Sequence, residues 1–297
     1  MSGIKYYLRL LPAAAFFLFL PFQTATLSAA PVEGTMSADT INYNVNTKKI
    51  SAVGNVIIKR EGAILWGDKG EGNMETSEFT LQGNVKGTFP AEKTDLTADS
   101  VKWKGSKNSE NDGITEAVGK VHLTRGANEK IDADYVLWEL GTKNYTAKGN
   151  VDAKTENNIL IADEAGQIKD KFWGKKVKRY EDIKQKLVVS ADTVNGTKVN
   201  EEINELVAVG NVVMDFVDKE GLKSRVTGEK GVYSKSKATF VISGNAKAVR
   251  SDGKTVLADS IIVHEDSNDI EAIGNSKITF ITNEKKDNKE EKPKSGE

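Results

Sequence analysis

Cysteine is absent from this 297-residue chain, and histidine occurs only at His122 and His264. Without thiols there is no disulfide, no thiolate metal site, no thiol nucleophile and no residue to carry an N-terminal lipid. Two histidines so far apart in sequence do not make a compact imidazole metal site, and each reads as an ordinary strand residue. Gly-x-Ser-x-Gly is missing, and Gly253-Lys254-Thr255 has Ala248 where a phosphate-binding loop needs its first glycine, so it reads as a hairpin turn. No nucleophile stands beside a suitable base; the chain is not read as an enzyme, and no cofactor is expected. Surplus charge is missing too: 42 basic residues face 43 acidic ones, a net charge of -1, which argues against a nucleic-acid partner. Outside the first thirty residues no window carries the i, i+3, i+4, i+7 spacing of a long amphipathic helix.

The longest apolar run, Leu10 to Leu20, contains Pro12 and falls short of the ~20 residues a membrane-crossing helix needs. With Lys5 and Arg9 before it and Ser28, Ala29 and Ala30 after it, the run reads as the core of a secretory signal peptide over residues 1–30, cut near Ala29 or Ala30. Residues 283–297 are almost wholly Lys, Glu, Asp, Asn and Pro and are expected to form a disordered charged tail.

What fills the rest is a repeat. Gly-Asn-Val or a near variant stands at Gly54, Gly83, Gly119, Gly149, Gly210, Gly244 and Gly274, mostly about 30 residues apart, with one gap twice as long that hides a degenerate copy. An acidic residue precedes the glycine by 15 positions in five copies: Asp39, Asp68, Asp134, Glu229 and Asp259. The pairs Asp99 to Gly119 and Asp192 to Gly210 are longer, and the insertions Gly105 to Gly113 and Asn195 to Glu202 read as lengthened loop tips. Between the markers apolar residues alternate, as in Ile50, Ala52, Val56 and Ile58 or Val212, Met214 and Phe216, with turn clusters such as Gly141-Thr142-Lys143-Asn144 between runs. The chain is therefore all-β, with two strands per unit and roughly 16 strands from eight units. Each glycine marks a bend or bulge, and each acidic side chain accepts hydrogen bonds from backbone N–H groups at a turn. A ladder of divalent-ion sites is the rival reading of the carboxylates, which lack the dense spacing of calcium-binding repeats.

Ala38-Asp39-Thr40-Ile41-Asn42-Tyr43 with Ala52-Val53-Gly54-Asn55-Val56, Ala133-Asp134 with Ala147-Lys148-Gly149-Asn150-Val151, and Ala258-Asp259 with Ala272-Ile273-Gly274-Asn275 resemble the OstA-like (LptA) family of periplasmic lipopolysaccharide-transport proteins, over nearly all of residues 36–282. The resemblance implies a periplasmic protein with a two-sheet β-jelly roll open along one side, which shields acyl chains in an apolar groove. Its implied partners are lipopolysaccharide or a related glycolipid, inner- and outer-membrane transport proteins of the same fold, and further copies stacked head to tail. With about eight strands in each sheet, one molecule would span about 40 Å along the stack. The candidate groove lining is Ile50, Val56, Ile58, Leu81, Val85, Val121, Leu123, Val151, Val212, Met214, Ile242, Ile278 and Phe280. A secreted structural β-repeat, a solenoid or adhesin-like stalk with a closed core and no ligand, is the competing reading.

Residues 164–190 break the pattern, so residues 31–282 form either one array or two, 36–168 and 187–282, joined by an irregular basic segment. Two readings stand for it: an insertion loop whose aromatics pack on a sheet edge, or a basic, aromatic lip in which Trp173, Lys175, Lys176, Lys178 and Arg179 contact a headgroup or partner.

Overall fold

The computed structural model describes residues 34–280, apart from 61, 106–112, 143, 185, 201, 218–220, 266 and 268. The expected signal peptide and charged tail lie outside the described residues. Those described form an antiparallel meander. It opens with β1 (Gly34–Ser37), β2 (Thr40–Tyr43), β3 (Lys49–Arg60), β4 (Ala63–Asn73), β5 (Glu78–Phe89) and β6 (Thr94–Gly105). There follow β7 (Gly113–Arg125), β8 (Glu129–Leu140), β9 (Tyr145–Lys154), β10 (Asn158–Ile168), β11 (Lys171–Asp182) and β12 (Leu187–Val199). It closes with β13 (Glu202–Val217), β14 (Lys223–Ser234), β15 (Thr239–Arg250), β16 (Thr255–His264), β17 (Ile270–Ile273) and β18 (Lys277–Thr279).

From β3 to β16 every strand pairs with its neighbours in sequence. The short strands come in pairs: β2 and β1 cover the two halves of β3, and β17 and β18 cover the two halves of β16. Each short pair is one strand broken at its middle, so the 18 segments are the equivalent of the sixteen strands expected from the repeat.

The break is the same corner that bends every strand. At Gly149 and Asn150 the chain takes φ of 72° and 51°, and glycine and its successor repeat this left-handed step at Gly54, Gly83, Gly119, Gly210, Gly244 and Gly274. In the register, Val53 pairs with Lys69 and Val56 with Gly67, so Gly54 and Asn55 together stand opposite the single residue Asp68. Two left-handed residues against one extended residue make a bulge that turns the strand sharply. A Cβ on Gly149 would lie 2.3 Å from Asp134 Oδ2, so the acidic side chain lies flat on the glycine. The carboxylate's partner differs from the backbone N–H groups expected. Asn150 Nδ2 donates to Asp134 Oδ2 at 3.0 Å, and the same side-chain bond joins Asn55 to Asp39, Asn84 to Asp68, Asn211 to Asp192, Asn245 to Glu229 and Asn275 to Asp259.

The degenerate copy is at Ala162-Asp163, whose corner partner is Lys176, left-handed at φ 47°. Residues 164–190, expected to be irregular, are regular strand in β10, β11 and β12. The buried residues of β11 are Gly174, Val177 and Tyr180, three apart, because the register slips between Val177 and Tyr180 and destroys period two. The insertion from Asn195 to Glu202 likewise lengthens β12 and β13 rather than a loop tip. Most of the other, Gly105 to Gly113, lies outside the described residues.

Bending every strand at its middle folds the meander into two facing layers. The first holds the leading halves of odd strands from β3 on and the trailing halves of even ones; the second holds the remainder. Contacts across the gap join strands that are not neighbours: the Phe89 and Trp138 rings meet edge-on at 5.2 Å, and the Arg60 guanidinium stands 5.9 Å from the Trp103 ring. With no α-helix among the described residues to cover the sheet, this facing explains how Val56, Ala147, Val151, Val226 and Ile242 are fully buried. Each strand contributes to both layers, so a layer holds sixteen strands rather than eight, and the ~40 Å span becomes about 70 Å. Among the described residues no register joins β1 or β2 to β17 or β18, and the sheet is not closed.

Candidate functional site

Opposite the line of corners, the hairpin ends of the two layers form the lips of a mouth. Just inside the first lip, cross-strand register lines up Tyr43, Ile50, Gly72, Phe79, Trp103, Thr115, Trp138, Tyr145, Gln167, Phe172, Gly196, Leu206, Tyr233, Phe240, Val263 and Ile270. Half of these sixteen are aromatic. The glycines make room for their neighbours' rings: a Cβ on Gly72 would lie 2.4 Å from Phe79 and one on Gly196 2.3 Å from Phe172. The matching row inside the second lip includes Met36, Ile58, Leu65, Leu96, Leu123, Ile131, Leu160, Tyr180, Val189, Met214, Val226 and Val256, and ends at Ile278. An aromatic row thus faces a mainly aliphatic one.

The aromatic row was readable and was missed. It occupies the position four after each corner acid, as in Tyr43, Trp103, Trp138 and Tyr233, and four before each corner glycine, as in Phe79, Tyr145 and Phe240. Those offsets put the two residues of one hairpin opposite each other.

Ten of the predicted lining residues, Val56, Ile58, Leu81, Val85, Val121, Leu123, Val151, Val212, Met214 and Ile242, are buried between the layers. The valines after each Gly-Asn sit beside the corners, at the narrow end of the wedge, where small residues such as Ala117, Ala147 and Ala208 let the layers approach. Ile50 is half-buried in the aromatic row. Ile278 and Phe280 are each 60% exposed, because Ile278 ends its row on the last strand and Phe280 follows it. The predicted basic cluster runs along β11, its Lys175, Lys176, Lys178 and Arg179 side chains exposed to solvent. Lys175 pairs with Glu164 at 3.0 Å, Lys176 and Lys178 with Asp163 at 3.3 and 3.0 Å, and Arg179 with Glu181. Hydrogen bonds from Lys178 and Lys176 hold the Asp163 carboxyl below its ordinary pKa. Trp173 is half-buried, with Lys175 Nζ 5.7 Å from its ring.

Space remains at the mouth, in two cavities. One, of about 300 Å³, lies between Tyr180, Leu187 and Val189 of the second layer and Ile203, Leu206, Tyr233 and Phe240 of the first. Its phenols are engaged: Tyr180 Oη donates to Asn158 Oδ1 at 2.7 Å and Tyr233 Oη to Glu265 Oε2 at 2.9 Å. The other, of about 540 Å³, is central, between Trp138, Tyr145 and Val136 on one side and Leu123, Ile131 and Ala153 on the other. Five cations, Lys93, Arg125, Lys130, Lys154 and Lys198, rim it against three carboxylates, Glu92, Glu129 and Glu156, a surplus of two positive charges. Burial pushes the Tyr145 phenol up to about 12, with Glu129 adding to the rise and Arg125 opposing it.

Beside the central cavity the lips touch. Gly141 N donates to Glu92 Oε1 at 3.0 Å, and the Arg125 guanidinium lies 5.4 Å from the Trp138 ring of the opposite layer. His122 Nδ1 is 2.6 Å from Asp132 Oδ1 on exposed neighbouring side chains. Among the described residues no group of three His, Cys, Asp or Glu could hold a metal ion, and no helix is long and apolar enough to cross a membrane. The Gly253-Lys254-Thr255 segment is a hairpin turn, closed by Gly253 N donating to Arg250 O at 3.0 Å.

No family model and no curated protein matches the chain. Among solved structures, it is similar to the crystal structure of LptH, the LptA-homologous periplasmic component of the conserved lipopolysaccharide transport device from Pseudomonas aeruginosa. That match covers 52% of this chain and 95% of that one, at 10% identity and a TM-score of 0.33. A likeness this distant carries no argument about ligand or partner.

Proposed function

We propose that the protein is a periplasmic carrier that shields the acyl chains of lipopolysaccharide or a related glycolipid between the lips of its bent sheet, as one segment of a bridge from inner to outer membrane. The observation that carries this reading is the pair of apolar rows, one aromatic and one mainly aliphatic, running the length of the sheet beside a seam that no strand closes. Exposing an acyl chain of a dozen carbons to water costs on the order of 10 kcal/mol, at about 0.8 kcal/mol per methylene. A protein serving such a chain has to supply apolar burial and no covalent step, leaving sugar and phosphate in water. The repeat's resemblance to the OstA-like family and the signal-peptide character of residues 1–30 support the same reading. So do the outer edges of β1, β2, β17 and β18, which no strand among the described residues covers and which suit head-to-tail pairing with another copy or a same-fold membrane partner. The basic cluster of β11, exposed and already paired with Asp163, Glu164 and Glu181, suits a partner better than a headgroup.

One observation favours the competing reading of a purely structural β-repeat: the depth of the wedge is filled by its own side chains, Val56, Val151 and Ile242 among them. Chains would then have to lie at the mouth or part the lips. The discriminating experiment places a photoreactive residue at Phe240 or Leu206 and, as a control, at outward-facing Lys247, in an envelope that makes lipopolysaccharide. Glycolipid adducts at the mouth positions and none at Lys247 are expected. No adduct at either mouth position, with thermal unfolding unchanged, would leave the structural repeat standing.

A further inference from the structure

The two mouth cavities differ in one respect that their apolar walls do not explain. In the central cavity the wall residue Trp138 is 1% exposed, and its Nε1–H finds no acceptor among the described residues. Thr115 is the register partner of Trp138 on one side and of Trp103 on the other, and its hydroxyl and the Trp103 indole N–H are likewise buried without a partner. Across the mouth, the guanidinium of Arg125 stands 5.4 Å from the Trp138 ring, with its Nε also buried and unpaired. All four groups can donate, and a buried donor left unpaired is costly and rare in folded proteins. In the other cavity, by contrast, the hydroxyls of Tyr233 in the aromatic row and Tyr180 in the facing row have carboxylate or amide acceptors in place. Add the cationic surplus of the rim, and the central cavity combines apolar walls, unsatisfied donors and positive potential in one volume of about 540 Å³.

We propose that this cavity is a binding site for a single-chain amphiphile ending in an oxyanion, phosphate or carboxylate, with its hydrocarbon against Trp138 and Leu123 and its oxygens accepting from Arg125 and the Trp138 indole. The chemistry fits from both ends. A cationic fork at the rim recognises an oxyanion that an uncharged alcohol cannot imitate, and the walls take the chain. The other two donors, Thr115 and Trp103, follow Trp138 along the row and do not line the cavity, so the contacts proposed are those of Arg125 and Trp138 alone. The proposal rests on the reading that the mouth admits acyl chains, and it adds a head-group preference and a location.

The test uses the full processed chain and four probes below their micelle-forming concentrations: dodecyl phosphate, dodecanoate, dodecanol and inorganic phosphate, each titrated calorimetrically. Dodecyl phosphate or dodecanoate binding at least about tenfold more tightly than dodecanol is expected, with no binding of inorganic phosphate. The two oxyanions compared with each other tell a phosphorylated lipid from a free fatty acid. Arg125→Gln lowers oxyanion affinity about tenfold and leaves dodecanol unchanged, and Trp138→Phe, which keeps the packing and loses the donor, lowers it less. Equal affinity for dodecanol and dodecyl phosphate, or no binding of either, overturns the proposal, and that comparison needs no variant to fold. Adducts at Phe240 alongside equal affinities would sink the head-group site alone. Oxyanion selectivity without adducts would sink the glycolipid reading and keep the site.

Discussion

At the corner, one glycine and one carboxylate decide whether a strand bends. Gly149→Ala puts a methyl 2.3 Å from Asp134 Oδ2 on a backbone at φ 72°, whereas Gly62→Ala meets nothing within 4 Å at φ 82°. Both variants bear the backbone cost of about 1 kcal/mol, and only the first also displaces the acid, so denaturant unfolding should show Gly149→Ala less stable by about 2–3 kcal/mol and Gly62→Ala by about 1. Equal losses would mean that the carboxylate gives way freely. The glycine announced the bend in the sequence, and the structure adds that the residue after it is left-handed too, a conformation asparagine accepts better than most. The Asn-to-Asp side-chain bond was not announced, since it joins residues 16 apart that meet only once the hairpin has formed.

Tyr145 gives a second prediction at the same scale. Its folded pKa, pushed up to about 12 by burial, lies above the ordinary tyrosine value of about 10, so the stability it contributes is fully present below pH 10 and is lost as pH climbs through 12. Ultraviolet titration of phenolate should show a group ionising near 12 in the wild type and missing in Tyr145→Phe. A Tyr145 that ionises with the exposed tyrosines would contradict its part-buried placement in the aromatic row.

Among the elements, β11 is the departure. Its corner residue Lys176 holds a left-handed φ of 47° that asparagine adopts more readily, and it bonds Asp163 by charge instead of by amide. Lys176→Asn should raise stability by about 0.5 kcal/mol, relief of backbone strain outweighing one exposed ion pair. The same change removes one of the bonds that depress Asp163, so carboxyl titration by NMR should show its pKa moving up toward the ordinary range. Asp163 contributes stability above the usual carboxylate pKa and loses it as pH falls through its depressed folded value, a window the variant shifts upward. Elsewhere hairpins were legible from alternation and turn chemistry. They failed to be so at β11 because its bulge spaces the buried residues Gly174, Val177 and Tyr180 three apart, and a period-two search reads that as loop.

For the molecule as a whole, the aromatic row begins at Tyr43, 48% exposed, and the facing row ends at Ile278, 60% exposed, on strands that among the described residues have a neighbour on one side only. If further copies continue the rows, light scattering should show mass rising with concentration, and Tyr43→Lys with Ile278→Lys should hold the protein monomeric, because charges on an edge disfavour strand addition. A constant mass in the wild type would count against the bridge.

The sequence by itself determined the local rules: strands from alternation, corners from Gly-Asn, sixteen bent strands from the repeat count, and no cysteine chemistry. Only the tertiary structure decided that each strand serves both layers, that the valines beside the corners fill the wedge, and that the space lies at an aromatic mouth. The reason is that alternation reports which face of a strand is buried but not how far along the strand the two layers diverge. That distance depends on the bend, and the bend exists only when an acid in one strand closes on a glycine in the next.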